Sequence, residues 1–85
     1  MRSLTFARNL AGTIEGLLTT KFKAPPPKIN ALLIDKTYFD YKINSSEVIV
    51  AVFEYEYGET TTISSNDNEL LGKIDVEIKN ILEGD

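Results

Sequence analysis

Cysteine, histidine and tryptophan are all missing from this 85-residue chain. Without cysteine, no disulfide can staple the fold and no thiolate can act as nucleophile or metal ligand. A chain with no disulfides to maintain is expected in the cytoplasm. Without histidine, the commonest general base and the commonest metal ligand are lost together. Glycine-rich phosphate loops, EF-hand patterns and zinc spacings are absent as well. No apolar run approaches the roughly 18 residues that a membrane span needs, and Arg8, Asn9 and Glu15 interrupt any leader-like apolar stretch near the start. The composition therefore indicates no cofactor, metal, small-molecule ligand or membrane partner, and the chain is not expected to be an enzyme. Glu54 and Glu56 are the one carboxylate pair that invites a catalytic reading. Two positions apart on a strand, their Cβ atoms would stand roughly 7 Å from each other, a separation compatible with two-carboxylate chemistry. No cleft signal accompanies them, and a solvated strand face explains them more simply.

What remains is enough for one domain, residues 1–85, with a small core and a thin stability margin. Charge is unevenly placed along it. Residues 1–42 carry seven basic groups against three acids, a net of +4; residues 43–85 carry two lysines against ten acids, a net of −8. A chain polarised in this way can present complementary patches to a second copy or an acidic patch to a basic partner.

Helical spacing dominates the first quarter. Ala7, Leu10, Ala11, Ile14, Leu17, Leu18 and Phe22 make one stripe, which predicts an amphipathic helix over about residues 4–22, with Ser3 as N-cap and Lys21 and Lys23 at the negative end of its dipole. Gly12 and Gly16, four residues apart, would leave a bare strip of backbone on that helix where another backbone could approach. Pro25-Pro26-Pro27 then ends the helix and opens a stiff connector over residues 24–28.

The middle of the chain, about residues 30–64, reads as sheet. Ile29 to Ile34 is a short apolar run and Thr37 to Ile43 is rich in β-formers, so this stretch is one long bent strand, two strands broken near Asp35-Lys36, or a strand preceded by a short helix. A turn at Asn44-Ser45-Ser46 leads to the strongest strand, Glu47 to Tyr57. A tight turn at Gly58-Glu59 returns the chain along Thr60 to Ser64. The last helix, about residues 67–83, has Asn66 and Glu69 at capping-box spacing, the stripe Leu70, Leu71, Ile74, Ile78, Ile81 and Leu82, and Gly84 as its C-terminal cap. Glu69–Lys73 and Asp75–Lys79 are favourable i,i+4 pairs. The predicted architecture is α+β, in the order α-β-β-β-α: an antiparallel meander of three strands, with room for a fourth, and two amphipathic helices on one face.

Register decides which residues face outward. With Ile43 opposite Val48 and Tyr57 opposite Thr60, one face collects Phe39, Tyr41, Ile43, Val48, Val50, Val52 and Ile63. The other collects Tyr38, Asp40, Lys42, Ile49, Ala51, Phe53, Tyr55, Tyr57, Thr60 and Thr62. Two helices can cover the aliphatic face but hardly both. The residues expected to meet a partner are therefore Phe53, Tyr55, Tyr57, Tyr38, Thr60 and Thr62, with Gly12 and Gly16 as a second contact. Inverting the register would turn the aromatic row into core.

Nucleic acid is not the expected partner. The order α-β-β-β-α is shared by double-stranded-RNA-binding domains, but the last helix opens Asn66-Asp67-Asn68-Glu69 where those domains need basic residues. Glu54, Glu56 and Glu59 lie close in sequence to the aromatics and would repel phosphates. The expected function is a protein-interaction or assembly module that forms a homo-oligomer. The alternative is an acidic inhibitor or decoy, of the kind a phage or other mobile element encodes, blocking a basic nucleic-acid-binding protein.

Overall fold

Alternation, not helical spacing, governs the first residues. In the computed structural model, which describes residues 2–84 and so omits the ends Met1 and Asp85 of the expected domain, Arg2–Phe6 forms strand β1. Leu4 and Phe6 lean on the core while Ser3 and Thr5 stay exposed. This replaces the start of the predicted helix, and Ser3 is not its N-cap. The apolar stripe becomes helical only from Leu10, and α1 spans Ala11–Thr20, burying Ile14, Leu17 and Leu18. The side chain of Asn9 accepts a hydrogen bond from the Ala11 amide (3.0 Å) at its start. At its end Lys23 adopts a left-handed conformation (φ 56°), and the Ala24 amide reaches back to the Leu18 carbonyl at 2.9 Å. The three prolines follow.

Four consecutive strands then form a meander: β2 (Lys28–Leu33), β3 (Lys36–Ile43), β4 (Ser46–Tyr55) and β5 (Gly58–Ser65). The stretch left open between one strand, two strands and a helix is thus two strands, broken at Ile34 and Asp35. β1 pairs antiparallel with β5, giving a five-stranded sheet in the order β1-β5-β4-β3-β2 instead of the expected three or four strands. Helix α1 leads the chain from one edge of this sheet to the other. Helix α2 (Asn68–Glu83) follows β5.

Both turns are tighter than predicted. Ile43 pairs with Ser46, not Val48, leaving Asn44 (φ 57°) and Ser45 as the turn residues. Tyr55 pairs with Gly58, so the second turn is Glu56-Tyr57 and Phe53, not Tyr57, lies opposite Thr60. These slips are of two and four residues. Because side chains alternate with a period of two, an even slip leaves every residue that stays in a strand on its expected face. Accordingly Tyr41, Ile43, Val48, Val50 and Ile63 join Ile14, Leu17 and Leu18 of α1 and Leu71, Ile74 and Ile78 of α2 in one core cluster, with Phe39 packed at its margin. Each such side chain removed from water stabilises the fold by about 1.5–3 kcal/mol.

The start of α2 also differs by one residue from expectation. Asp67, not Asn66, is the N-cap, its carboxylate accepting from the Leu70 amide at 3.1 Å. Asn66 instead accepts from the Glu47 amide (2.9 Å), and Ser46 donates to the second oxygen of Asp67 (3.0 Å). The helix start is thereby tied to the β3–β4 turn, which outcompetes a capping box. Gly84 does close the helix, where a Cβ would stand 2.5 Å from the Asn80 carbonyl oxygen. The expected pairs Glu69–Lys73 (3.9 Å) and Asp75–Lys79 (3.2 Å) are present on its surface. Ile81 and Leu82, assigned to the apolar stripe, are exposed.

One buried hydroxyl fastens β1 and α1 to the sheet. Thr61 is fully buried; it donates to the Arg8 carbonyl (2.6 Å) and accepts from the Leu10 amide (2.9 Å). Thr61→Val should cost about 1–3 kcal/mol in chemical denaturation, since it strands the buried Leu10 amide and takes the donor from the Arg8 carbonyl, whereas Thr61→Ser should retain most of the stability. The Leu70 amide and the Ser46 hydroxyl hold the Asp67 carboxyl below its ordinary value near 3.8. A lowered folded pKa gives stability that is present above the unfolded value and is lost as pH falls through the folded one. The Tm difference between wild type and Asp67→Asn should therefore be constant above about pH 5 and shrink below pH 4.

Candidate interaction face

The side of the sheet turned away from both helices carries the aromatic residues. Lys36, Tyr38, Asp40 and Lys42 come from β3, Ile49, Ala51, Phe53 and Tyr55 from β4, and Thr60, Thr62 and Ser64 from β5, with Ser3 and Thr5 of β1 completing one edge. Strand alternation places them there, because their neighbours Val48, Val50 and Ile63 fill the core on the opposite side.

At the centre, the Tyr38 and Phe53 rings meet edge to face, with centroids 6.1 Å apart and planes at 87°. This is the favoured geometry for an aromatic pair. The Lys36 ammonium lies 5.9 Å from the Phe53 ring centroid, within cation–π range. These side chains, with Thr62 alongside, cover Ala51, which is only 6% exposed although it lies outside the core cluster. Tyr55 continues the row and is 61% exposed, its hydroxyl 3.4 Å from that of Thr60. Thr5 and Thr62 face each other across β1 and β5 at 3.5 Å. Five of the expected contact residues, Phe53, Tyr55, Tyr38, Thr60 and Thr62, therefore share one surface.

Tyr57 does not join them. The tighter hairpin places it in the turn, where it is 93% exposed. Gly12 and Gly16 lie on α1, on the helical side of the molecule. They line a shallow groove with Thr20, Asn80 and Ile81, and a Cβ added to either glycine would meet nothing within 4 Å. The two expected contacts are thus on opposite sides of the protein.

The electrostatics of the aromatic face differ from what sequence proximity implied. Glu54 and Glu59 oppose each other at the end of the β4–β5 ladder and belong by register to the helix-covered side, where Glu59 accepts from the Asn9 side chain at 3.0 Å. Glu56 is in the turn. Glu54 and Glu56 accordingly do not form a pair on one strand face. The acids on the aromatic side are Glu47 and Asp40. Glu47 is bound to Lys42 across the β3–β4 ladder; this contact lowers the Glu47 pKa and raises that of Lys42. Asp40 has one carboxylate oxygen shielded from solvent with no hydrogen-bond partner among the described residues.

Lys36, Asp40 and Ile49 are features of this face that the aromatic pattern alone did not single out. Their signal was the alternation itself, which placed Asp40 and Ile49 there without saying what they touch. Chemically, the face offers aromatic contact area and hydroxyl donors and acceptors. Among the described residues, no helix is long and apolar enough to cross a membrane, and no cluster of three or more metal-ligating side chains occurs.

No family model, curated protein or solved structure matches the chain.

Because their added Cβ atoms meet nothing, Gly12→Ala and Gly16→Ala should each stabilise α1 by about 0.5–1 kcal/mol. Thermal melts check the gain, and the mass in solution should be unchanged; dissociation would instead mark the strip as a contact.

Proposed function

We propose that the chain is a small non-catalytic protein-interaction and assembly module, and that the face bearing Tyr38, Phe53 and Tyr55 docks a second copy of the chain. One observation carries this reading: both helices pack on the other side of the sheet, and no described element covers the aromatic side. Tyrosine and phenylalanine supply much contact area for little lost side-chain freedom, and they are enriched where interfaces bury their centres. The threonine and serine hydroxyls around them keep such a surface compatible with water when it is unoccupied.

The acidic-inhibitor alternative draws less support. Glu69 and Asp75 of α2 are engaged by lysines on their own helix, and Glu77 is bound to Lys21 of α1 at 2.8 Å. Those carboxylates are partly neutralised before any basic partner arrives.

Light scattering over a concentration series tests the proposal. Wild-type protein should show a mass above the 9.5 kDa monomer. Tyr55→Ser should weaken association by about tenfold or more, as loss of an interface tyrosine of large contact area does. Tyr57→Ser, out in the turn, should leave it unchanged. A wild type that stays monomeric at high concentration sinks the self-association.

A further inference from the structure

The aromatic face has two halves of different height. Its large apolar side chains, Tyr38, Ile49, Phe53 and Tyr55, all come from β3 and β4. On the same side β5 and β1 contribute Gly58 and five hydroxyl residues, Ser3, Thr5, Thr60, Thr62 and Ser64. The row Thr5–Thr62–Ala51–Tyr38, which crosses four strands, ends in a ring only on β3. A ridge thus stands beside a floor. The floor is suited to being covered. The Thr5 and Thr62 hydroxyls lie 3.5 Å apart and Thr60 donates to the Tyr55 hydroxyl at 3.4 Å, so three of the five already have a partner within the chain. Covering a paired hydroxyl costs less than covering a lone one. The charged groups of this side, Lys36, Asp40, Lys42 and Glu47, belong to β3 and β4, and none stands on the floor.

Ridge and floor limit how two copies can stack. With a two-fold axis parallel to the strands and between β4 and β5, β4 covers β5 of the second copy and β3 covers its β1. Each ridge then enters the floor of the other copy, Tyr38 stands over Thr5, and Lys36 and Asp40 meet no like charge. An axis across the strands would set β3 on β3 and β1 on β1. Tyrosine would crowd tyrosine there, and the two floors would face each other over a gap that close-packed interfaces do not keep. The four strands that overlap about the first axis are 5, 8, 10 and 8 residues long. At strand spacing they span roughly 500 Å² in projection. Side-chain relief brings that to the scale of a standard interface, about 800 Å² per partner.

We infer that two copies of this chain stack face to face as a sandwich about the axis between β4 and β5, each copy's Tyr38–Phe53–Tyr55 ridge seated on the other's serine and threonine floor. This orientation rests on the docking of a second copy to the aromatic face and specifies how that copy sits. The strands of the two sheets run within about 30° of each other, as in other aligned sandwiches, and β2 overhangs the contact on either side.

A size exchange between Tyr38 and Thr5 tests the orientation. Within one chain the two residues lie three strands apart, about 14 Å, so neither can compensate for the other there. Tyr38→Thr shortens the ridge and Thr5→Tyr raises the floor, and each alone should weaken dimerisation by about tenfold or more in sedimentation runs. Mixing the two variants should restore the dimer as a heterodimer, and combining both changes in one chain should restore it as a homodimer. Restoration on mixing also shows that the single variants fold. Tyr38→Ser and Thr5→Phe make the same exchange if a first variant fails to melt cooperatively. The orientation is overturned, and the docking face kept, if wild type is dimeric and Thr5→Tyr associates as tightly. It is equally overturned if wild type is dimeric and neither the mixture nor the double variant recovers. A monomeric wild type overturns the orientation and the face together.

Discussion

The Thr61 hydroxyl joins two backbone groups of the β1–α1 connector, the carbonyl of Arg8 and the buried amide of Leu10. That short connector is where the chain changes from strand to helix. Fixing it on β5 sets β1 alongside β5 and aims α1 across the covered side of the sheet. The same β5 strand carries Ile63 two positions further on, fully buried beneath the helices. A polar anchor and an apolar one thus share one face of one strand. Neither would be stable there without the other: the hydroxyl needs the dry surroundings to be worth satisfying, and the apolar contacts need the connector held in place.

Much of the sheet was legible from alternation alone. The aliphatic set from Tyr41 to Ile63 and, apart from Tyr57, the aromatic set from Tyr38 to Thr62 lie on the faces expected of them although both turns were misplaced, because the slips were even. The turns themselves were harder to read. Gly58 looked like a turn residue, yet the chain bends at Glu56-Tyr57 and uses Gly58 as the first residue of β5, which removed Tyr57 from the aromatic row. β1 was hidden by competition between patterns. Arg-Ser-Leu-Thr-Phe alternates over only five residues, and Leu4 and Phe6 extend naturally into the helical stripe that begins at Leu10. Only pairing with β5, far away in sequence, distinguishes the two. The N-cap at Asp67 was decided by tertiary contacts as well, since Asn66 is recruited by the Glu47 amide.

The uneven charge along the chain becomes a spatial division once folded. Glu69, Asp75 and Glu77 lie on α2, offset by Lys73, Lys79 and Lys21, while Glu54, Glu56 and Glu59 gather at the far end of the β4–β5 hairpin. The aromatic side keeps lysines and two acids in near balance. Its character comes from aromatic and hydroxyl groups, with no dominant sign of charge. Such a surface selects a partner by shape and contact area, where a strongly charged one would select by long-range attraction.

The path of α1 from one edge of the sheet to the other has a kinetic side. β2 to β5 are joined in order by two-residue turns, so their pairing is local and closes short loops. β1 meets β5 only after some fifty to sixty intervening residues, and the entropy of closing that loop is repaid only once the meander exists to receive it. Chain connectivity therefore divides one continuous sheet into a meander whose contacts are local in sequence and a remote strand whose pairing closes a long loop.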